Sequence, residues 1–101
     1  MIEATTAQTA AAGETAQVID VREDFEVAEG MVPGARHIPM GQIPSRLDEL
    51  DKARPVYVVC RSGNRSGRVA EALGSLGFEV YSMAGGMMQW HDEGRPVVSP
   101  A

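Results

Sequence analysis

The sequence predicts an α/β layer fold with a mainly parallel sheet, and three observations carry that prediction. Short β-branched runs, Val56-Tyr57-Val58-Val59 the clearest, alternate with stretches whose apolar residues fall three and four apart. Gly and Pro punctuate the boundaries between them. The best-defined helix follows the best-defined strand after a short loop, the order that parallel strands require.

Taken in order, residues 1–17 are rich in Ala, Thr and Gln and read as a lead-in segment, with a short helix over Ala10-Ala11-Ala12 stopped by Gly13. Val18-Ile19-Asp20-Val21 reads as a buried strand, with Asp20 and Arg22 near its carboxyl end. Residues 23–30 hold good helix formers and stop at Gly30; Pro33-Gly34 marks a turn, and His37-Ile38 a brief strand. Pro44 to Leu50 reads as a short helix with Pro44 near its start. Val56–Val59 is a strand that ends at Cys60. From Ser66, placed to cap the helix, Val69, Ala70, Leu73 and Leu76 follow helical spacing as far as Gly77. A strand over Glu79–Ser82 and a helix from Gly85-Gly86 through Trp90 to about Asp92 complete the series.

The chain has 101 residues, 44% hydrophobic and 23% charged, which suits one domain over 1–101 with a modest core. Its single cysteine cannot form an internal disulfide. No run approaches the ~18 apolar residues of a membrane span, and the start lacks a signal-peptide pattern, so a cytoplasmic location is expected. A net charge of -5 argues against nucleic-acid or acidic-membrane partners. Against that acidic total, Arg61, Arg65 and Arg68 cluster just after Cys60, which points to an anion site.

Ligands of open α/β sheets gather at the carboxyl ends of strands, where helix N-termini present free N–H groups. Cys60-Arg61-Ser62-Gly63-Asn64-Arg65-Ser66 occupies such a place. If Gly63 and Asn64 permit a tight curl, successive N–H groups form a nest with Cys60 at its base. A free thiol titrates near about 8.5, and a helix N-terminus with nearby arginines lowers that value, so Cys60 is expected to be a thiolate near neutral pH. The same donors would attract an anionic sulfur donor and stabilise a charged persulfide.

Four ordered motifs then resemble the single-domain rhodanese family over nearly the whole chain. They are Val18-Ile19-Asp20-Val21-Arg22; Val32-Pro33-Gly34-Ala35-Arg36-His37-Ile38-Pro39; the Cys60 loop; and Ala84-Gly85-Gly86-Met87-Met88-Gln89-Trp90. The resemblance implies a three-layer fold with a five-stranded, mainly parallel sheet, a persulfide on Cys60, and thiosulfate or a related sulfane donor. The six-residue loop from Cys60 to Arg65 is one residue shorter than the C-x-x-x-x-x-R loop of related cell-cycle phosphatases and arsenate reductases, which favours sulfur over phosphate chemistry. One departure is Met31, where the family commonly has a histidine; the loss bears on local loop packing, and His37 is not expected to replace it.

Plainer readings stand beside these. A lone cysteine is in most proteins a small buried hydrophobe, and only the strand-end position, the curl and the arginines argue otherwise here. Arg65 is expected to close the loop or hold the anion, while Arg61 and Arg68 read equally well as solvated charges. Asp20 and Arg22 read as a structural ion pair pinning the first strand to the neighbouring loop. Gly85-Gly86 would let backbone pass close to the active-site loop. Met87 and Met88 would offer an apolar rim, and Trp90 belongs to the core. His37 and His91 have no second ligand at metal-binding spacing, and no nucleotide fingerprint occurs, so no metal or cofactor is expected.

The leading expectation is transfer of sulfur by Cys60 from a small anionic donor to cyanide, glutathione, thioredoxin or another protein thiol, with Arg61, Ser62, Gly63, Asn64, Arg65 and Ser66 binding the substrate. Two alternatives stay open: a small phosphatase or arsenate reductase, and a sulfur-carrier or interaction module with little turnover of its own.

Overall fold

A computed structural model describes residues 2–99. Five parallel strands form one sheet: β1 (Ile2–Ala4), β2 (Gln17–Asp20), β3 (Arg36–His37), β4 (Val56–Val59) and β5 (Val80–Met83), in the order β1-β5-β4-β2-β3. Between them run α1 (Thr6–Ala12), α2 (Asp24–Val27), a 3₁₀ segment (Met40–Glu49), α3 (Asn64–Ser75) and α4 (Gly86–Asp92). Among the described residues no helix is long and apolar enough to cross a membrane.

Strand β4 lies in the middle, hydrogen-bonded to β2 on one side and β5 on the other. Its alternation sorts the core into two layers. Val56, Val58 and Cys60 join Ile19, Val21, Ile38, Val69, Leu73 and Phe78 on the α3 side of the sheet. Val59 joins Val18, Val32, Met83, Met87 and Trp90 on the α4 side. Because both faces are covered, every residue of β4 but Tyr57 is fully enclosed, which accounts for its unbroken apolar run. Trp90 belongs to the core as expected; its Nε1–H donates to the Pro96 carbonyl at 2.9 Å.

Several elements differ from the sequence reading. The lead-in segment supplies an edge strand: β1 pairs with β5 from Ile2↔Tyr81 to Ala4↔Met83. Helix α1 begins earlier than the alanine run because Thr5 and Gln8 form a capping box, and it stops at Gly13 as predicted. The helix expected over 23–30 is one turn, Asp24–Val27, since Arg22 captures the carbonyls of Glu26 and Gly30 and bends the chain away. Pro44 falls inside its segment and not at its start; lacking an N–H, it holds the chain in 3₁₀ form, broken at Arg46 (φ -123°). β5 is shifted one residue toward the C-terminus.

Asp20 and Arg22 form the expected structural pair. The guanidinium lies across the carboxylate, with Nη2 to Oδ2 at 2.8 Å and Nε to Oδ1 at 3.0 Å, and both side chains are buried. Met31, also buried, exchanges backbone hydrogen bonds with Val98 at 2.9 Å each way, so the chain after α4 covers the site of the departure noted above. His37 is occupied elsewhere, its Nε2 2.7 Å from the Arg22 carbonyl.

Removing Arg22 while leaving Asp20 would strand a buried carboxylate, which costs about 3 kcal/mol. Urea unfolding of Arg22→Met is expected to show a loss of that order; a loss below about 0.5 kcal/mol would mean that the pair contributes nothing to the fold.

Candidate active site

The loop after β4 is short because α3 starts at Asn64, so only Cys60 to Gly63 separate strand from helix. Gly63 makes the reversal, with φ at +108°, a region that residues with a Cβ enter only under strain. Asn64 takes no part in the curl: it is the first residue of α3, and no non-glycine residue among those described has positive φ.

What turns the loop amides inward is a clamp on its carbonyls. The free N–H groups at the start of α4 donate to the loop from outside, Met87 N to Cys60 O at 2.8 Å and Met88 N to Arg61 O at 3.0 Å. Helix and loop can approach this closely because Gly86 has no side chain; a Cβ there would lie 2.6 Å from the Cys60 carbonyl oxygen and closer still to that of Arg61. The close backbone passage expected of Gly85-Gly86 is thus centred on Gly86.

With the carbonyls facing out, donors face the sulfur. The Gly63 N–H donates to Cys60 Sγ at 3.0 Å, and the Ser66 hydroxyl lies 3.4 Å from it. Burial pushes the Cys60 thiol up, but hydrogen bonds from the Ser66 side chain and from the backbone of Ser66, Gly63 and Ser62 outweigh that and hold it below its ordinary value. The direction agrees with the sequence reading, and so does the share given to backbone N–H groups at the helix start; the share given to the arginines does not. Neutral donors at contact distance do the work assigned to arginines, none of which touches the sulfur.

Arg65 points out of the loop. Its guanidinium makes a two-pronged pair with Glu26 on α2, 2.7 Å at each oxygen, and Glu26 is thereby held down at about 2. Glu26 is in place because Arg22, fixed by Asp20, binds the Glu26 carbonyl at 3.3 Å. A single connected set of contacts therefore runs from the end of β2 through α2 to the first turn of α3. Of the two roles expected of Arg65, the geometry fits closing the loop.

The remaining residues separate by depth. Cys60 is 1% exposed and Ser66 fully buried beneath it, whereas Arg61, Ser62 and Asn64 are exposed at the mouth and Gly63 half-buried between. Arg68, also exposed, lies one turn further along α3, and neither it nor Arg61 makes an ion pair among the described residues. Ser66 does not cap α3; it is the third residue of the helix, its hydroxyl turned inward to Gly63 O at 3.1 Å and to Ser82 Oγ at 2.7 Å. Met88 is exposed and Met87 buried, so only one of the two methionines reaches the rim. Glu26 and Ser82 escaped the sequence reading because their partners lie 39 and 16 residues away.

A parallel α/β sheet with a cysteine cupped by inward-facing amides at the end of its central strand defines a cysteine-centred, anion-receptive domain. The profile of the Rhodanese-like domain matches residues 3–93, and this chain belongs to that family. It is similar to YtwF of Bacillus subtilis (strain 168), 49% identical over 85 residues that cover 84% of this chain and 82% of that one. It is also similar to a sulfurtransferase of Allochromatium vinosum, 39% identical over 84 residues covering 82% and 78%. The crystal structure of a rhodanese-related protein from Thermoplasma volcanium matches with a TM-score of 0.91 and 31% identity, covering 97% and 98% of the two chains.

Two substitutions test the clamp and the pair. Gly86→Ala places a methyl against the loop carbonyls at a φ of +57°, so a stability loss of about 2 kcal/mol and at least tenfold slower alkylation of Cys60 at neutral pH are expected. Unchanged alkylation would show that the loop does not need the clamp. Glu26, lowered from 4.5 to about 2 in the fold, contributes stability that is fully present above pH 4.5 and is lost as pH falls through about 2. Wild type should therefore exceed Glu26→Gln by about 2 kcal/mol at pH 6, the gap closing between pH 4.5 and 2; a gap independent of pH would contradict the pairing.

Proposed function

We propose that this domain is a sulfurtransferase that carries sulfur as a persulfide on Cys60. The observation that carries the reading is the convergence of the Gly63 N–H and the Ser66 hydroxyl on a buried sulfur held below its ordinary titration range. Membership of the Rhodanese-like family and the similarity to a protein named sulfurtransferase support it.

In the reaction, the Cys60 thiolate attacks the outer sulfur of thiosulfate. The bond between the two thiosulfate sulfurs breaks, sulfite leaves with the electron pair, and Cys60 becomes a persulfide anion. The inward amides that stabilised the thiolate lie around the new terminal sulfur, so its negative charge remains solvated by the backbone as it moves outward. Cyanide or a thiolate then attacks that terminal sulfur and restores the Cys60 thiolate. No second cysteine exists in the chain, so the acceptor comes from outside: glutathione, thioredoxin or another protein.

The roles follow from depth. Gly63 and Ser66 serve the sulfur atom, whereas Arg61, Ser62 and Asn64, exposed at the mouth, face the sulfonate end of the donor. Arg65 is committed to Glu26 and contributes shape, not charge transfer to the substrate. The tight loop leaves little room for a tetrahedral phosphate, which favours this reading over a phosphatase.

Intact-protein mass spectrometry checks the proposal. Thiosulfate should add one sulfur to the wild type and none to Cys60→Ser, cyanide should remove it, and steady-state kinetics should give parallel double-reciprocal lines. Absence of sulfur gain from thiosulfate, polysulfide and persulfidated glutathione alike, with Cys60 still reactive to alkylation, would contradict a sulfur-carrying role.

A further inference from the structure

The chemistry above uses Cys60, the loop amides and Ser66, and leaves unused a second buried hydroxyl behind them. Ser82 lies on β5, 1% exposed, in register with Val58 of the central strand. Its Oγ is 2.7 Å from Ser66 Oγ, and its side chain has no other hydrogen-bond partner among the described residues.

Proton counting gives this contact a direction. Ser66 has one hydroxyl proton and three polar neighbours: Cys60 Sγ at 3.4 Å, Gly63 O at 3.1 Å and Ser82 Oγ at 2.7 Å. A thiolate and a carbonyl only accept, so Ser82 is the one neighbour able to donate to Ser66. Ser82 has in turn one acceptor in reach, Ser66 Oγ. The Gly63 carbonyl already accepts from the Gly67 N–H at 3.1 Å, so when the sulfur is ionised the arrangement that satisfies every group runs Ser82 O–H to Ser66 Oγ, and Ser66 O–H to Cys60 Sγ and not to the Gly63 carbonyl. The opposite arrangement, Ser66 donating to Ser82, turns the proton away from the sulfur and leaves the Ser82 proton without an acceptor.

We propose that Ser82 is a positioning residue for the Cys60 thiolate, donating to Ser66 Oγ and so directing the single Ser66 proton onto the sulfur. Donation also polarises the Ser66 hydroxyl, making it a stronger donor in a site that water does not reach. The relay rests on Cys60 acting as a thiolate; it does not depend on which donor or acceptor the enzyme uses.

The test is the pH dependence of Cys60 alkylation by iodoacetamide in wild type, Ser82→Ala, Ser82→Thr, Ser66→Ala and the Ser66→Ala/Ser82→Ala double variant, each checked for folding by thermal unfolding. This readout is independent of sulfur transfer, so failure of the relay and failure of the sulfurtransferase reading are distinguishable. The surrounding charges are the same in every variant: Arg61 on the loop, Arg65 and Arg68 on α3, Glu23 and Glu26 at α2, Asp20 at the end of β2 and Arg22 just after it.

Ser82→Ala is expected to raise the alkylation midpoint and slow alkylation at neutral pH about threefold to tenfold, and Ser82→Thr, which keeps the hydroxyl, to stay near wild type. Ser66→Ala should raise the midpoint further, and removing Ser82 in that background should add nothing. A Ser82→Ala midpoint equal to wild type would overturn the relay. So would an equal shift from Ser82→Ala with and without Ser66, which would mark Ser82 as packing alone.

Discussion

Everything at the candidate site depends on two hydrogen bonds that do not touch it. By donating to the Cys60 and Arg61 carbonyls, the first N–H groups of α4 decide which way the loop's peptide planes face. A peptide whose carbonyl is held outward presents its N–H on the other side, so the clamp on the Arg61 carbonyl turns the Ser62 N–H toward the sulfur, next to the Gly63 N–H that the glycine reversal supplies. The clamp needs backbone against backbone, which is why Gly86 stands where it does. It also couples the site to the core, since the turn that carries these amides continues into Met87 and Trp90, both buried against the sheet.

The site manages charge differently from a surface cluster of arginines. Arg65 is neutralised by Glu26, and that pair is positioned through Arg22 by the buried Asp20 carboxylate, so the charged residues nearest the loop serve its shape. Stabilisation of the thiolate falls chiefly to groups without net charge, amides and a hydroxyl at contact distance in a buried site, with a smaller coulombic share from Arg65. Such an environment is weakly screened by salt, whereas activation by exposed arginines would fade as ionic strength rises. An acidic chain can therefore hold an anionic sulfur without a basic surface.

Much of this was legible in the sequence, and the exceptions share a cause. The central strand, the α3 periodicity and the Cys60 loop were readable because each is a local pattern: an apolar run, residues three and four apart, a glycine at a reversal. The pairing of Asp20 with Arg22 was readable for the same reason, being two residues apart. Edge strand β1 was not, since three residues of Ile-Glu-Ala form a strand only because β5 offers a free edge. The capping role expected of Ser66 fails because α3 begins two residues earlier, and its inward hydroxyl meets Ser82 Oγ at 2.7 Å and the thiol at 3.4 Å as well as the Gly63 carbonyl at 3.1 Å. Arg65 looked like an anion ligand until the fold brought Glu26 across from 39 residues away.

The central claim is that backbone amides and Ser66, and not the arginines, hold Cys60 as a thiolate. Ultraviolet thiolate titration of an Arg61→Ala/Arg68→Ala protein beside Ser66→Ala tests it most directly. The account predicts a midpoint near wild type when both arginines are removed, and a raised midpoint when Ser66 is lost. A midpoint that rises with loss of the arginines and stays put without Ser66 would contradict it.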